Sequence, residues 1–307
     1  MLYSNRIGWQ SGYQVKDEED SGGLPVRIRV VARSISRPVR ERLLGQPSVA
    51  RVLAVFDHAC DLVISGGEVV ALVTPQVGNG PLNVVAEVRP GGFTAVEPGM
   101  TARLEGGRLR VGGLEVALEG ATVWEPCPDW SALRARRATI VSRLPLLWTI
   151  ALRHAPDVGR DGIPSYGPAR EAANALRAGW EGDEAQVRAG AARLAGLGGG
   201  LTPAGDDFLV GVMLWAWLAH PRPAPICRAI AEEAAPRTTT LSAAFLRAAA
   251  RGECSAAWHR LLAALGSGTA EDQLAAAVQD VLAHGATSGA DALAGFLWIG
   301  SQTKTRP

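Results

Sequence analysis

The stretch GLGGGLTPAGDDFLVGVMLWAWL, Gly196 to Leu218, holds the residue types best able to do chemistry in this chain. Gly198, Gly199 and Gly200 form a loop that lets a ligand approach the backbone closely, with N–H groups free to meet an anion. Thr202 is a natural N-cap and Pro203 suits the first helical position. Asp206 and Asp207 then fall near the end of the first turn. The residues that follow are apolar on every side, so the helix is expected to be buried. An unpaired carboxylate there costs several kcal/mol or is neutralised by a raised pKa. It calls for a partner: a hydroxyl, an arginine, a metal or a substrate. The plainer alternative is that both acids offset the helix dipole, worth ~0.3–1 kcal/mol each. That accounts for one acid better than for two behind a triple glycine. No Gly-Lys-Ser/Thr follows, so the loop is not a P-loop.

Three other stretches carry matching groups. PRTTTLSAAFLRAAARG, Pro236 to Gly252, stacks Thr238, Thr239, Thr240 and Ser242 at a helix start; N-capping and a hydroxyl-lined site weigh about equally. HGATSGADALAGF, His284 to Phe296, sets Ser288 three residues before Asp291, a capping-box spacing. His284 closes the preceding helix, where a cation suits the dipole, with a general-base role as the alternative. QVGNGPLNVV, Gln76 to Val85, carries Asn79 in a turn signal and Asn83 just beyond it, and also fits an ordinary loop. The patterns GDDFLVG and GADALAG share G-x-D-x-L-x-G, which points to two helix N-termini built for similar close packing.

The elements that position these groups fall into two halves. Residues 1–23 are polar and expected to be loosely ordered. Residues 24–125 carry strand signals, with VRIRVVA, EVVALVT and the Gly-Gly-punctuated GGRLRVGGLEVALEG, plus one short helix around Val49 to Phe56. EPCPDW reads as a linker. Residues 131–300 turn alanine-rich with helical spacing, predicting roughly eight helices. The fold class is α+β: an N-terminal β-rich, barrel- or sandwich-like domain followed by a C-terminal all-α helical domain. Arg134, Arg136 and Arg137 read as a solvated helix face, with anion binding as the alternative.

Composition narrows the function classes. There are 307 residues, with 31 Lys+Arg against 30 Asp+Glu, so no basic field marks a nucleic-acid binder. Cys60, Cys127, Cys227 and Cys254 lack metal-site spacing and read as free thiols of a cytoplasmic protein. No signal core opens the chain, and its longest apolar run is too short to span a bilayer.

GNGPLN (Gly78 to Asn83), GLGGGLTPAGDDFLVG (Gly196 to Gly211), RTTTLS…FLRAAARG (Arg237 to Gly252) and GATSGADALAG (Gly285 to Gly295) together resemble the AllH-like family. The Gly-Leu-Thr-Pro-x-Gly-Asp-Asp core is the specific part, although Ala204 stands where the family often has Ser. The resemblance implies an oxamate carbamoyltransferase subunit working beside FdrA-like and AllG-like subunits. It implies interconversion of oxalurate and phosphate with oxamate and carbamoyl phosphate, in purine-nitrogen catabolism. On that basis Asp206, Asp207 and His284 are the candidate catalytic residues. Gly198, Gly199, Gly200, Thr202, Thr239, Thr240, Ser242, Ser288, Asp291, Asn79 and Asn83 are the candidate ligand-binding set, for a small anionic substrate. No cofactor is needed, although Mg²⁺ on Asp206 and Asp207 fits the donor types. The isolated chain is expected to be inactive. Two other readings stay open: a non-catalytic metabolite-binding or scaffold subunit, and a metal-assisted hydrolase of ureido compounds.

Overall fold

A computed structural model describes residues 28–302 apart from 44–47, 65, 90 and 156–166. The N-terminal segment 1–23 therefore lies outside the described residues. The described chain packs as two compact units. One comprises residues 28–35, 39–78 and 83–123; the other comprises 36–38, 79–82 and the chain from 124 onward.

The first unit is a closed eight-stranded barrel. Its strands are β1 (Ile28–Ser36), β2 (Ser48–Val55), β3 (Ala59–Ile64), β4 (Val69–Val73), β5 (Asn83–Ala86), β6 (Thr101–Glu105), β7 (Arg108–Val111) and β8 (Leu114–Ala117). Their order is β5-β4-β3-β2-β6-β7-β8-β1, and β1 closes the ring by pairing antiparallel with β5. A short β9 (Thr122–Trp124) adds to β1. The Gly-Gly signals act as read. Gly106 and Gly107 both have positive φ, 55° and 69°, and join β6 to β7 in a two-residue hairpin. Val52, Leu62, Leu72, Val84, Leu109 and Val116 fill the interior.

The short helix expected at Val49 to Phe56 is instead β2. Ala50 and Val52 pack into the interior two positions apart, a bulge follows between Val52 and Ala54, and the strand is held between β3 and β6. A seven-residue helix, α1 (Arg37–Leu43), follows β1, with Pro38 in its first turn. Local helical spacing lost to ladder pairing on both edges.

The second unit is helical: α2 (Trp130–Ala135), α3 (Arg137–Ser142), α4 (Leu144–His154), α5 (Gly167–Gly179), α6 (Glu184–Leu194), α7 (Ala204–Ala219), α8 (Pro223–Ala234), α9 (Thr240–Ala250), α10 (Ala256–Ser267), α11 (Glu271–Leu282) and α12 (Ser288–Gln302). A 3-10 turn, Ala235–Arg237, precedes α9. The eleven α-helices among the described residues exceed the eight expected, in part because the run after Trp130 breaks at Arg136 and Arg143. Arg134 is not a solvated side chain. It is half-buried, and its guanidinium donates to the carbonyls of Trp217 (2.8 Å) and His220 (3.0 Å), closing the C-terminal end of α7.

The apolar helix α7 is the centre of this unit. Its main neighbour is α12, and the contacts run from Thr202 with Ser288 at the two starts, through Gly211 with Ala292, to Trp215 with Gly300. The two helices therefore run in the same direction with their N-termini together. A Cβ on Gly211 would lie 1.8 Å from the Ala292 carbonyl oxygen, and one on Gly295 would lie 2.0 Å from that of Phe208. In the repeated pattern, Gly211 matches Gly295 and Phe208 matches Ala292. The two contacts are one contact related by a local two-fold, so the echo in the sequence is a packing motif.

Candidate functional site

Five elements meet at the N-terminal ends of α7 and α12. α7 starts one residue later than Thr202 predicts, with Pro203 at the N-cap and no side-chain cap. Thr202 is thereby released from capping, and its hydroxyl hydrogen-bonds that of Ser288 at 2.8 Å, tying the two helix starts together. Gly205 permits this arrangement. A Cβ there would sit 2.1 Å from the Leu194 carbonyl, so only glycine lets α7 begin against the end of α6.

The adjacent aspartates differ in kind. Asp206 is fully buried and its oxygens are occupied. Oδ1 accepts the Gly196 N–H at 3.0 Å, while Oδ2 accepts the Thr238 and Ser242 hydroxyls, the latter at 2.8 Å. Those donors come from the loop before α7 and the start of α9. Asp206 is thus the knot that joins the glycine loop to the threonine run. Thr238 belongs to the hydroxyl stack read from the sequence, whereas the Gly196 amide carries no sequence signal as a site group. Adjacent hydroxyl-bearing residues were visible in PRTTTLS, but which of them faces Asp206 depends on where the helix begins.

Asp207 is only 7% exposed, yet its Oδ2 has no hydrogen-bond partner among the described residues. Burial pushes its carboxyl up to about 7. The neighbouring Asp291 and Asp206 carboxylates act in the same sense, against the Ser288 and Thr202 hydroxyls. Asp291, the matching residue of α12, is half-buried and its Oδ2 is likewise buried without a partner. Burial raises its pKa too, opposed by the Thr287 hydroxyl. The helix begins at Ser288, so Asp291 lies a position too deep for the expected capping box. Two carboxyl oxygens without donors therefore stand at one end of one helix pair. Such groups accept hydrogen bonds, and their desolvation goes uncompensated until something donates.

The glycine loop borders this end. Gly198 and Gly200 have φ of 115° and 87°, a conformation that favours glycine. Gly199 is exposed, and a Cβ on it would meet nothing within 4 Å. Among the described residues, the backbone N–H groups of Gly198, Gly199 and Gly200 make no hydrogen bond.

The remaining candidates are divided. Thr239 caps α9, accepting the Ser242 N–H at 3.1 Å and donating to the Leu201 carbonyl, which fixes the loop. Thr240 is exposed at the first position of α9 and has no part in the Asp206 knot. His284 follows α11, and its backbone carbonyl accepts the Gly289 N–H at 3.0 Å. Its ring is pushed below the ordinary histidine range by burial, which works against a cation at that helix end. Asn79 belongs to the helical unit, where its carbonyl accepts the Ala256 N–H at 2.9 Å. Asn83 belongs to the barrel, where its amide donates to the Gly78 carbonyl at 2.8 Å. Among the described residues no three His, Cys, Asp or Glu side chains gather as a metal-ligand set. To bind Mg²⁺, Asp206 would have to release donors it already holds.

The paired Gly-Asp helix starts of the helical unit, each with an unpartnered carboxyl oxygen, define an acceptor-rich site next to a backbone-donor loop. Residues 194–299, spanning α7 to α12, match the family model described as oxamate carbamoyltransferase subunit AllH. Residues 31–123 match the AllH family N-terminal domain. The chain belongs to the AllH family. No solved structure matches it. Among the described residues no helix is long and apolar enough to cross a membrane.

Proposed function

We propose that the chain serves as the AllH-type subunit of a complex that transfers the carbamoyl group between oxalurate and phosphate, and that the α7/α12 end holds the amide end of the substrate. In that reaction a phosphate oxygen attacks the ureido carbonyl of oxalurate. The C–N bond to the oxamate nitrogen breaks, and that nitrogen takes up a proton. Both oxalurate and oxamate carry planar N–H donors and a carboxylate. The observation that carries the reading is the pair of buried, donorless oxygens, Asp207 Oδ2 and Asp291 Oδ2. Amide N–H groups supply what these atoms lack. The unengaged N–H groups of the glycine loop suit the anionic end of the same ligand.

The segments 196–211 and 285–295 contain no arginine or lysine, and the nearby Arg237 is engaged with Glu233 at 2.7 Å. A dianionic phosphate in flight needs oriented positive charge, each well-placed donor being worth ~3–4 kcal/mol. We assign that charge to partner chains, the FdrA-like and AllG-like subunits, so the isolated chain binds but does not turn over. The test has two arms. Calorimetry with oxamate on the isolated chain should show binding that Asp207→Asn weakens at least ~10-fold, the worth of one charge-assisted hydrogen bond. Oxalurate phosphorolysis should be negligible for the chain alone and appear when both partners are added. Unchanged oxamate binding by Asp207→Asn rejects the site, and robust turnover by the isolated chain rejects the subunit role.

A further inference from the structure

A cavity of about 590 Å³ opens between α8 and α9, away from the acidic helix starts. Its floor is small and apolar: Ala224, Ala231, Ala235, Ala250 and the half-buried Trp217. Its rim carries Arg228 from α8 and Arg247 and Arg251 beyond it in the chain. Arg251 is held by Glu253, with its guanidinium at 2.7 and 2.8 Å from the two carboxylate oxygens. Arg228 and Arg247 are exposed and make no ion pair or hydrogen bond with the described residues. The one acid on the rim, Glu232, is paired outward with Arg188 at 2.9 Å.

This arrangement has an electrostatic consequence. Arg247 and Arg251 stand four residues apart, where like charges on a helix repel, and Arg228 adds a third guanidinium to the same concavity. The acids within reach offset only one of the three. A surface organised merely for solubility intersperses the two signs. Three guanidiniums around one cavity instead match a group with several anionic oxygens, which guanidinium binds through paired N–H donors. The volume lies in the range of small-molecule sites, and the alanine floor leaves room for a hydrocarbon or flat body below the charged rim. Along α9, Arg247 and Arg251 lie roughly 12–18 Å from Thr239, which anchors the glycine loop. The groove and the acidic helix starts are therefore separate places.

We infer that the α8/α9 groove is a second ligand site, for a small organic phosphate: the phosphate held by Arg228 and Arg247 and the apolar body seated against Trp217 and the alanines. A carboxylate carries one negative charge for the two uncompensated guanidiniums, whereas a phosphate dianion offsets both, so phosphate is the better match.

The experiment titrates the full chain by calorimetry with phenyl phosphate, inorganic phosphate and benzoate. Phenyl phosphate should bind tightest, exceeding inorganic phosphate through the floor and benzoate through the rim. The double variant Arg228→Gln with Arg247→Gln should weaken phenyl phosphate at least ~10-fold. It should leave both the helical circular dichroism and oxamate binding unchanged. Gly199→Val, which alters the glycine loop, should keep phenyl phosphate binding, so the two sites can fail independently. Inorganic phosphate or benzoate binding as tightly as phenyl phosphate would overturn the inference. So would an undiminished affinity in the double variant, or loss of phenyl phosphate binding in Gly199→Val.

Discussion

Replacing each of the two adjacent aspartates should have opposite effects on stability. Asp206→Ala removes an acceptor that serves three donors: the Gly196 N–H and the Thr238 and Ser242 hydroxyls. Hydrogen bonds to a charged group are worth ~1.5–3 kcal/mol each, but these share one carboxylate and do not add fully. A loss of about 3–5 kcal/mol follows, with donors left buried in the knot. For a unit of this size that lowers the thermal midpoint by roughly 6–20 °C. Asp207→Asn acts in the other direction. The folded-state pKa of about 7 lies above the ordinary 3.8, so between those values the native state holds more protons than the unfolded chain. Stability therefore falls as pH climbs from about 4 to 7 and stays at the lower level above that. An elevation of about three units caps the cost near ~4 kcal/mol. Asparagine cannot titrate, so the variant should match the parent near pH 4 and equal or exceed it at pH 8, with a flatter profile between. Chemical denaturation of both variants from pH 4 to 8, followed by circular dichroism, is the assay. If Asp207→Asn drops at pH 8 as far as Asp206→Ala, the unpartnered state of Asp207 Oδ2 is wrong. If the slope between pH 4 and 7 survives the substitution, the assignment of that slope to Asp207 is wrong.

Two further predictions concern packing and charge. Gly211→Ala places a Cβ 1.8 Å from the Ala292 carbonyl and must part α7 from α12, costing ~1–3 kcal/mol or more and weakening oxamate binding with it. Gly199→Ala meets nothing within 4 Å and should leave the melting temperature unchanged, a comparison thermal denaturation makes directly. In the barrel, Glu115 is bonded by Arg110 and Arg108, each at 2.8 Å, and these hold its carboxyl down to about 2. A depressed acid contributes stability above its ordinary range near 4.5 and loses it as pH falls toward 2. Glu115→Gln should therefore flatten the acid limb of the unfolding profile between those values, which urea titration reads out.

Much of this molecule is legible in local pattern. The division into a strand-rich and a helical half follows from a change in the period of apolar side chains, which is read from residues close in sequence. The Gly106-Gly107 hairpin follows from the φ > 0 that a tight turn demands. The burial of α7 follows from its lack of a polar face, and the shared G-x-D-x-L-x-G pattern announced a common packing role. What local pattern could not decide is which groups find partners. Asp206 and Asp207 are neighbours of the same type on one helical turn, 100° apart around the axis. That rotation sends one into the hydroxyls of α9 and the other toward α12. Thr202 looked like a cap and became a bridge to Ser288 because the helix began one residue later. Residues 49–56 carried a helical spacing that pairing with β3 and β6 overrode. The cavity rimmed by Arg228 and Arg247 exists only because α8 and α9 pack side by side, bringing together residues nineteen positions apart. Hydrogen-bond satisfaction and burial are properties of what surrounds an atom, and for these residues the surroundings come from distant parts of the chain.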